Sequence, residues 1–134
     1  MTDDELYDAF TSTSLPAGQF HHQQHVRVAW LFVCRHDMPA AIGEFSEAIK
    51  RFAAAKGAHG LYHETITWAF LLIIGERQAR EPQANWPAFA SANQDLLTWK
   101  PSILDRYYSP ELLKSDQAKR SFVMPDLISK ESSG

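Results

Sequence analysis

The residues of this sequence whose types and spacing could do chemistry are its histidines, which fall mainly into two groups. The chain has six histidines, with His21, His22 and His25 in one group and His59 and His63 in the other. Residues three or four positions apart on a helix share a face, with Cβ atoms ~5–6 Å apart. His22 and His25, or His21 and His25, can therefore direct two imidazoles at one point. Zinc and iron bind imidazole nitrogen at ~2.0–2.1 Å, which this spacing permits.

A third metal ligand has to come from another helix, and His63 is the best candidate. It precedes the apolar run of one predicted helix by one turn, just as His25 precedes the apolar run of another. If these helices pack in parallel, their first turns meet at one end of a bundle. The sequence therefore predicts a site of His22, His25 and His63 for zinc, iron or copper. Three neutral ligands leave open positions, as in a hydrolase, isomerase or oxygenase that acts on a small molecule.

Three further residues are candidates for handling protons or orienting a substrate. Glu64 follows His63 and diverges from it by ~100° on a helix, which favours a general base or a partner of a ligand. Arg27 interrupts an apolar helix and needs a carboxylate or a substrate anion, so we expect a salt bridge with Asp105 or Glu64. Tyr108 could line a pocket with its polar tip.

Two other interpretations of the histidines stay open. A histidine in the first turn of a helix is often a surface residue or a hydrogen-bonded core residue, and the chain would then be a non-catalytic interaction or regulatory module. Alternatively, the imidazoles could form a metal-free acid–base site with Glu64. His36 closes its helix, where an imidazolium complements the helix dipole, so we expect a structural role for it.

The elements that must position these residues are helices. Start and stop signals for helices recur along the chain, and no segment shows the alternation of a half-buried strand. The sequence predicts an all-α, single-domain bundle of about five to seven helices over residues 1–134, with its core at about 20–125 and a polar tail at 126–134. Two predicted helices, about 21–36 and about 61–80, are apolar nearly all round, which indicates a central pair.

Helix caps can be assigned from residue types alone. Thr2 and Glu5 form a predicted capping box, and Asp37 can cap a helix that has Pro39 in its first turn. Asn85 and Ser109 precede further prolines in the same way. These signals divide the chain into the helices that the bundle requires.

Composition limits the location and the partners of the protein. The net charge of -3 lacks the basic field that nucleic acid or an anionic membrane would attract. The longest apolar run, 66–74, is about half of the ~20 residues that span a bilayer, and the acidic N-terminus does not resemble a secretion signal. We therefore expect a cytoplasmic protein, with the single cysteine, Cys34, buried as a small apolar residue. The apolar helices leave surface for a homodimer.

Four segments together resemble a group of small, uncharacterised bacterial all-helical proteins. They are Phe20-His21-His22-Gln23-Gln24-His25-Val26-Arg27-Val28-Ala29-Trp30, Arg51-Phe52-Ala53-Ala54-Ala55, Tyr62-His63-Glu64-Thr65-Ile66-Thr67 and Arg106-Tyr107-Tyr108-Ser109-Pro110-Glu111. The resemblance covers residues 20–125 and maps an F-x-H-x-x-H motif onto Phe20, His22 and His25, and a YHET motif onto 62–65. It favours His22 over His21 and implies no activity.

Overall fold

Seven α-helices follow one another along residues 1–127, the part of the chain that this computed structural model describes, apart from the side chain of residue 59. The helices are α1 (Asp3–Thr11), α2 (His22–Arg35), α3 (Met38–Ala55), α4 (Glu64–Arg80), α5 (Trp86–Ala92), α6 (Pro110–Leu113) and α7 (Asp116–Arg120). These described residues contain no strand, so the predicted all-α bundle is confirmed. Of the polar tail predicted at 126–134, residues 128–134 lie outside the described part.

The predicted helix caps are confirmed at the four helix starts that carried a signal. Thr2 accepts the Glu5 N–H at 3.1 Å, and the Glu5 carboxylate accepts the Thr2 N–H at 2.8 Å. The side chains of Asp37, Asn85 and Ser109 each accept the N–H three residues further along. Because each cap binds an amide that has no partner inside its helix, the start of the helix is fixed locally.

The central pair, α2 and α4, runs in parallel. The Trp30 indole N–H donates to the Gln78 side chain at 3.0 Å, and the His22 ring packs against the Phe70 ring. Both contacts join residues that are 48 positions apart in the sequence, so the two helices run in the same direction. The crossover through α3 makes this direction possible.

The core lies on both sides of this pair. On one side, aromatic rings from the first three helices pack together around Phe10, which contacts Phe32, Phe45 and Phe52. On the other side, the chain after α7 lies along α4, where the buried Thr65 hydroxyl donates to the carbonyl of Ser121 at 2.8 Å. The last third of the chain therefore wraps α4.

Several local predictions are wrong in detail. We expected α4 to begin near Leu61, but a 3₁₀ turn at His59–Leu61 comes first and α4 begins at Glu64. α2 begins at His22, one residue later than expected. Cys34 is exposed rather than buried, because it lies two turns after Arg27 on a face of α2 that does not enter the core. No helix within the described residues combines the length and apolar character needed to cross a membrane.

Candidate functional site

A cavity of ≈ 480 Å³ lies between α2, α3, α4 and the turn that contains Trp99. We call it the histidine cavity, because it is lined by His21, His22, His25 and His63. The rest of the wall is largely apolar and aromatic, with Phe20, Ile49, Phe52, Ile66, Phe70 and Trp99 as its main contributors. The structure therefore brings all three predicted metal ligands to the wall of one cavity.

His22 lies in the first turn of α2 with one ring nitrogen bound to the protein. Its Nε2 lies 2.9 Å from the carbonyl oxygen of Leu96. Because a carbonyl only accepts, Nε2 carries the hydrogen and Nδ1 keeps its lone pair. The ring packs against both Phe70 and Trp99, each with its centroid 5.3 Å away. Burial lowers the pKa of His22, so the neutral form is favoured.

His25 lies one turn further along α2, on the same face as His22. Its ring stacks on Phe45, with centroids 5.7 Å apart, and also contacts Phe20 at 5.2 Å. Part of its surface remains accessible, yet its surroundings are apolar. Burial, followed by the neighbouring His22, lowers the pKa of His25 to about 4. Its side chain forms no hydrogen bond to another described residue, so a neutral imidazole with free bonding capacity lies on the cavity wall.

Both ring nitrogens of His63 form hydrogen bonds within the protein. Its Nδ1 accepts the N–H of Ile66 at 3.1 Å and so caps α4, while Nε2 donates to the carbonyl of Leu113 at 2.7 Å. No ring lone pair is left for a metal. His22 lies level with Phe70, which is seven residues beyond His63 and so ~10 Å further along the helix axis. The two helix starts are therefore staggered along their axes.

These contacts bear on the predicted metal site. Within residues 1–127, apart from the side chain of residue 59, no three His, Cys, Asp or Glu side chains are grouped so that they could hold a metal ion. As placed here, His63 does not fit a metal shared with His22 and His25, because its nitrogens serve Ile66 and Leu113. The three-histidine metal site stays a prediction.

No protein-family model, curated protein or solved structure matches this chain. The predicted resemblance to a bacterial family stays a prediction.

Glu64 reaches the histidine cavity only through a neighbour. Its carboxylate accepts a hydrogen bond from the hydroxyl of Tyr62, and Tyr62 lines the cavity. Burial, and then the bond to Glu64, raise the pKa of Tyr62 well above its ordinary value, so the phenol stays protonated. Glu64 is therefore placed as a partner of Tyr62.

The other two predicted catalytic residues lie elsewhere in the fold. Arg27 forms a salt bridge with Asp3, with an Nη2 to Oδ1 distance of 2.6 Å, so the expected salt bridge exists but both predicted partners were wrong. Its partner lies in the acidic first turn of α1, which packs beside α2. Tyr108 is buried, donates to the carbonyl of Val123 at 2.8 Å and lines a separate cavity beside α4. Neither lines the histidine cavity.

Trp99 and Lys56 are among the residues of the histidine cavity that were not singled out from the sequence. Trp99 precedes the Lys100–Pro101 turn, and it could have been noticed as a bulky aromatic residue in a loop. Lys56 closes α3 and donates from Nζ to the carbonyl of Thr13 at 3.0 Å. No local sequence pattern indicated that either would face His22 and His25, because both come from distant segments.

Proposed function

We propose that this protein binds a small organic molecule in the histidine cavity. The observation that carries the proposal is His25, an imidazole with unused hydrogen-bonding capacity on the wall of a largely apolar cavity. Sites for small molecules are typically cavities of ~300–1,000 Å³ that are mostly apolar and contain a few polar groups. A cavity of ≈ 480 Å³ with four histidines on a largely aromatic wall has this character.

The electrostatics favour binding over proton-transfer catalysis. A general base works best when its pKa lies near the working pH. The pKa of His25 is lowered to about 4, so its imidazole is a weak base at neutral pH. It remains a good hydrogen-bond partner, because one ring nitrogen donates and the other accepts. We therefore give the histidines the role of recognising the ligand.

The test compares two substitutions at adjacent positions of α3. Ala53 lines the histidine cavity, whereas Ala54 is exposed to solvent. A library of small aromatic fragments is screened by ¹H–¹⁵N NMR, and the affinity of each hit is measured by calorimetry. We expect at least one hit whose shifts map to the cavity. Ala53→Phe fills the cavity and should weaken that hit by about tenfold or more, whereas Ala54→Phe should leave it within about twofold.

Other outcomes favour the alternatives. If no fragment binds, or if both phenylalanine variants weaken a hit equally, the small-molecule proposal fails. Separate His22→Ala and His63→Ala variants that change stability only slightly and metal content not at all would then favour a non-catalytic interaction module.

The metal prediction is tested separately by elemental analysis of protein purified without a histidine tag. Near-stoichiometric zinc, iron or copper that is lost in His22→Ala and in His63→Ala would support the three-histidine site. It would also require His63 to release Ile66 and Leu113.

A further inference from the structure

We infer that the ligand of the histidine cavity carries an uncharged hydrogen-bond donor, such as a phenolic hydroxyl or a ring N–H, on a flat aromatic body. This inference rests on the proposed function and names the class of molecule that the cavity would take. It follows from a comparison of the donors and acceptors that the cavity wall has left over.

The ring N–H groups of His22 and His63 already donate to partners within the protein. Nε2 of His22 donates to the carbonyl of Leu96, and Nε2 of His63 donates to the carbonyl of Leu113. Since each neutral imidazole has a single N–H, neither ring has another hydrogen to offer. His63 also uses its lone pair to cap α4, so only Nδ1 of His22 is left as an acceptor.

The hydroxyl hydrogens of Tyr62 and Thr67, which also line the cavity, have partners within the protein as well. The Tyr62 hydroxyl donates to the carboxylate of Glu64, and the Thr67 hydroxyl donates to the carbonyl of His63 at 2.8 Å. A hydroxyl has one hydrogen, so both can meet a ligand only as acceptors. Together with Nδ1 of His22 and the acceptor nitrogen of His25, they make four acceptors, and the single uncommitted hydrogen among these four side chains is the ring N–H of His25. A ligand that brings a donor matches this surplus.

Lys56 is the one cation on the wall, among the side chains that the structure describes, and it points to the rival class of ligand, an anion. One of its three hydrogens is given to the carbonyl of Thr13, and its Nζ lies 5.3 Å from the centre of the Phe52 ring. A carboxylate that entered beside His22 and His25 could accept only the N–H of His25, would face a lone pair on each ring, and would lose its hydration in an apolar cavity. We therefore favour the neutral donor over the anion.

The shape of the ligand follows from the rings around the histidines. Phe20 and Phe52 contact each other on one side, with centroids 4.8 Å apart, and Phe70 and Trp99 lie 6.3 Å apart beside His22. Aromatic walls pack best against flat apolar bodies, by offset stacking or edge-to-face contact. A single substituted aromatic ring with one donor fits these requirements.

The experiment uses three matched probes at pH 7.5 on the full chain. They are 4-ethylphenol, its methyl ether 4-ethylanisole, which has the same ring but no donor, and 4-ethylbenzoate, which is an anion. Dissociation constants are measured by calorimetry, and the binding site is checked by ¹H–¹⁵N NMR. We expect 4-ethylphenol to bind about tenfold or more tightly than 4-ethylanisole, because a site built to bond a donor discriminates against its absence.

The variants identify the acceptor. His25→Phe keeps an aromatic ring beside Phe20 and Phe45 but removes the acceptor, so it should reduce the difference between phenol and ether to about twofold or less. His22→Phe provides a second test if His25→Phe does not fold, and His36→Phe, at the far end of α2 and outside the cavity lining, is the matched control that should keep the full difference.

The outcomes distinguish a failure of this inference from a failure of the proposed function. If phenol and ether bind equally in the cavity, the donor inference fails while small-molecule binding stands. If 4-ethylbenzoate binds most tightly and Lys56→Met abolishes that preference, the ligand is an anion and the inference is overturned. If Ala53→Phe weakens the binding of none of these probes and of no fragment, the proposed function itself fails.

Discussion

The ring of His22 packs edge-on against the ring of Phe70, with centroids 5.3 Å apart and an interplanar angle of 70°. Phe70 lies in the second turn of α4, so the first turn of α2 meets α4 well past its start. This stagger leaves His63 to cap α4 and to bind the carbonyl of Leu113. The space between the staggered helix starts is occupied by the histidine cavity.

The cap predicts a graded effect of substitutions at His63. His63→Ala removes the acceptor for the Ile66 N–H and the bond to Leu113, and we expect the free energy of unfolding to fall by ~1–2 kcal/mol. His63→Asn keeps an acceptor suited to a cap, so it should lose about half as much. Urea denaturation measures both, with Gln23→Ala, at an exposed position in the first turn of α2, as the control. Equal losses for alanine and asparagine would show that the cap contributes little.

The lowered pKa of His25 predicts that acid destabilises the protein. The unfolded chain takes up a proton near the ordinary pKa of 6.5, whereas the folded chain keeps His25 neutral down to about pH 4. The contribution to stability is therefore complete above pH 6.5 and falls, by on the order of 3 kcal/mol in total, as the pH drops from 6.5 to 4. Urea denaturation at a series of pH values measures this fall.

His25→Phe is the matched variant for that measurement, because it keeps the ring and removes the proton site. Its stability should change much less across the same pH window. The remaining slope is expected from His22, whose pKa burial also lowers, and from carboxylates such as Asp95 as the pH nears 4. If the wild type and His25→Phe lose stability in parallel, the imidazole of His25 is not desolvated in the folded protein.

Two arginines on α4 provide a matched pair for measuring salt bridges. Arg77 binds both carboxylate oxygens of Asp95, at 3.0 and 2.8 Å, and also the side chain of the buried Asn93. The guanidinium of Arg80 lies 3.7 Å from the carboxylate of Glu76, which is too far for a hydrogen bond, and its side chain is largely exposed. We expect Arg77→Ala to lower the free energy of unfolding by ~1–3 kcal/mol and Arg80→Ala by less than ~0.5 kcal/mol. Thermal and urea denaturation of the two variants check this difference, and similar losses would contradict it.

The exposure of Cys34 predicts that its thiol reacts in the folded protein. Partial burial raises the pKa of the thiol, so less thiolate is present at neutral pH than in a free cysteine. We expect complete modification by 5,5′-dithiobis(2-nitrobenzoic acid) without denaturant, at a rate below that of a small free thiol. A thiol that reacts only after unfolding would show instead that Cys34 is buried.

The sequence by itself determined where the helices form and which two are central. Those features depend on residues within about four positions of each other, as with Thr2 and Glu5 in the first cap or Asp37 and Pro39 in the third helix. The apolar runs of α2 and α4 likewise identified the central pair, because a helix that is apolar on nearly every side has to be surrounded by others. The three-residue spacing of His22 and His25 also indicated that they share a face of α2.

Only the tertiary structure decided how those helices are placed against each other. The stagger of α2 and α4 is set by contacts between distant segments, such as Trp30 with Gln78, and no local pattern encodes it. The same holds for Arg27, whose partner Asp3 comes from another helix, and for Trp99, which joins the cavity from a loop. Periodicity gives the angle of a side chain around its own helix but not its height against a neighbouring helix. For that reason the sequence could select the histidines, while the packing of the helices decided what each of them binds.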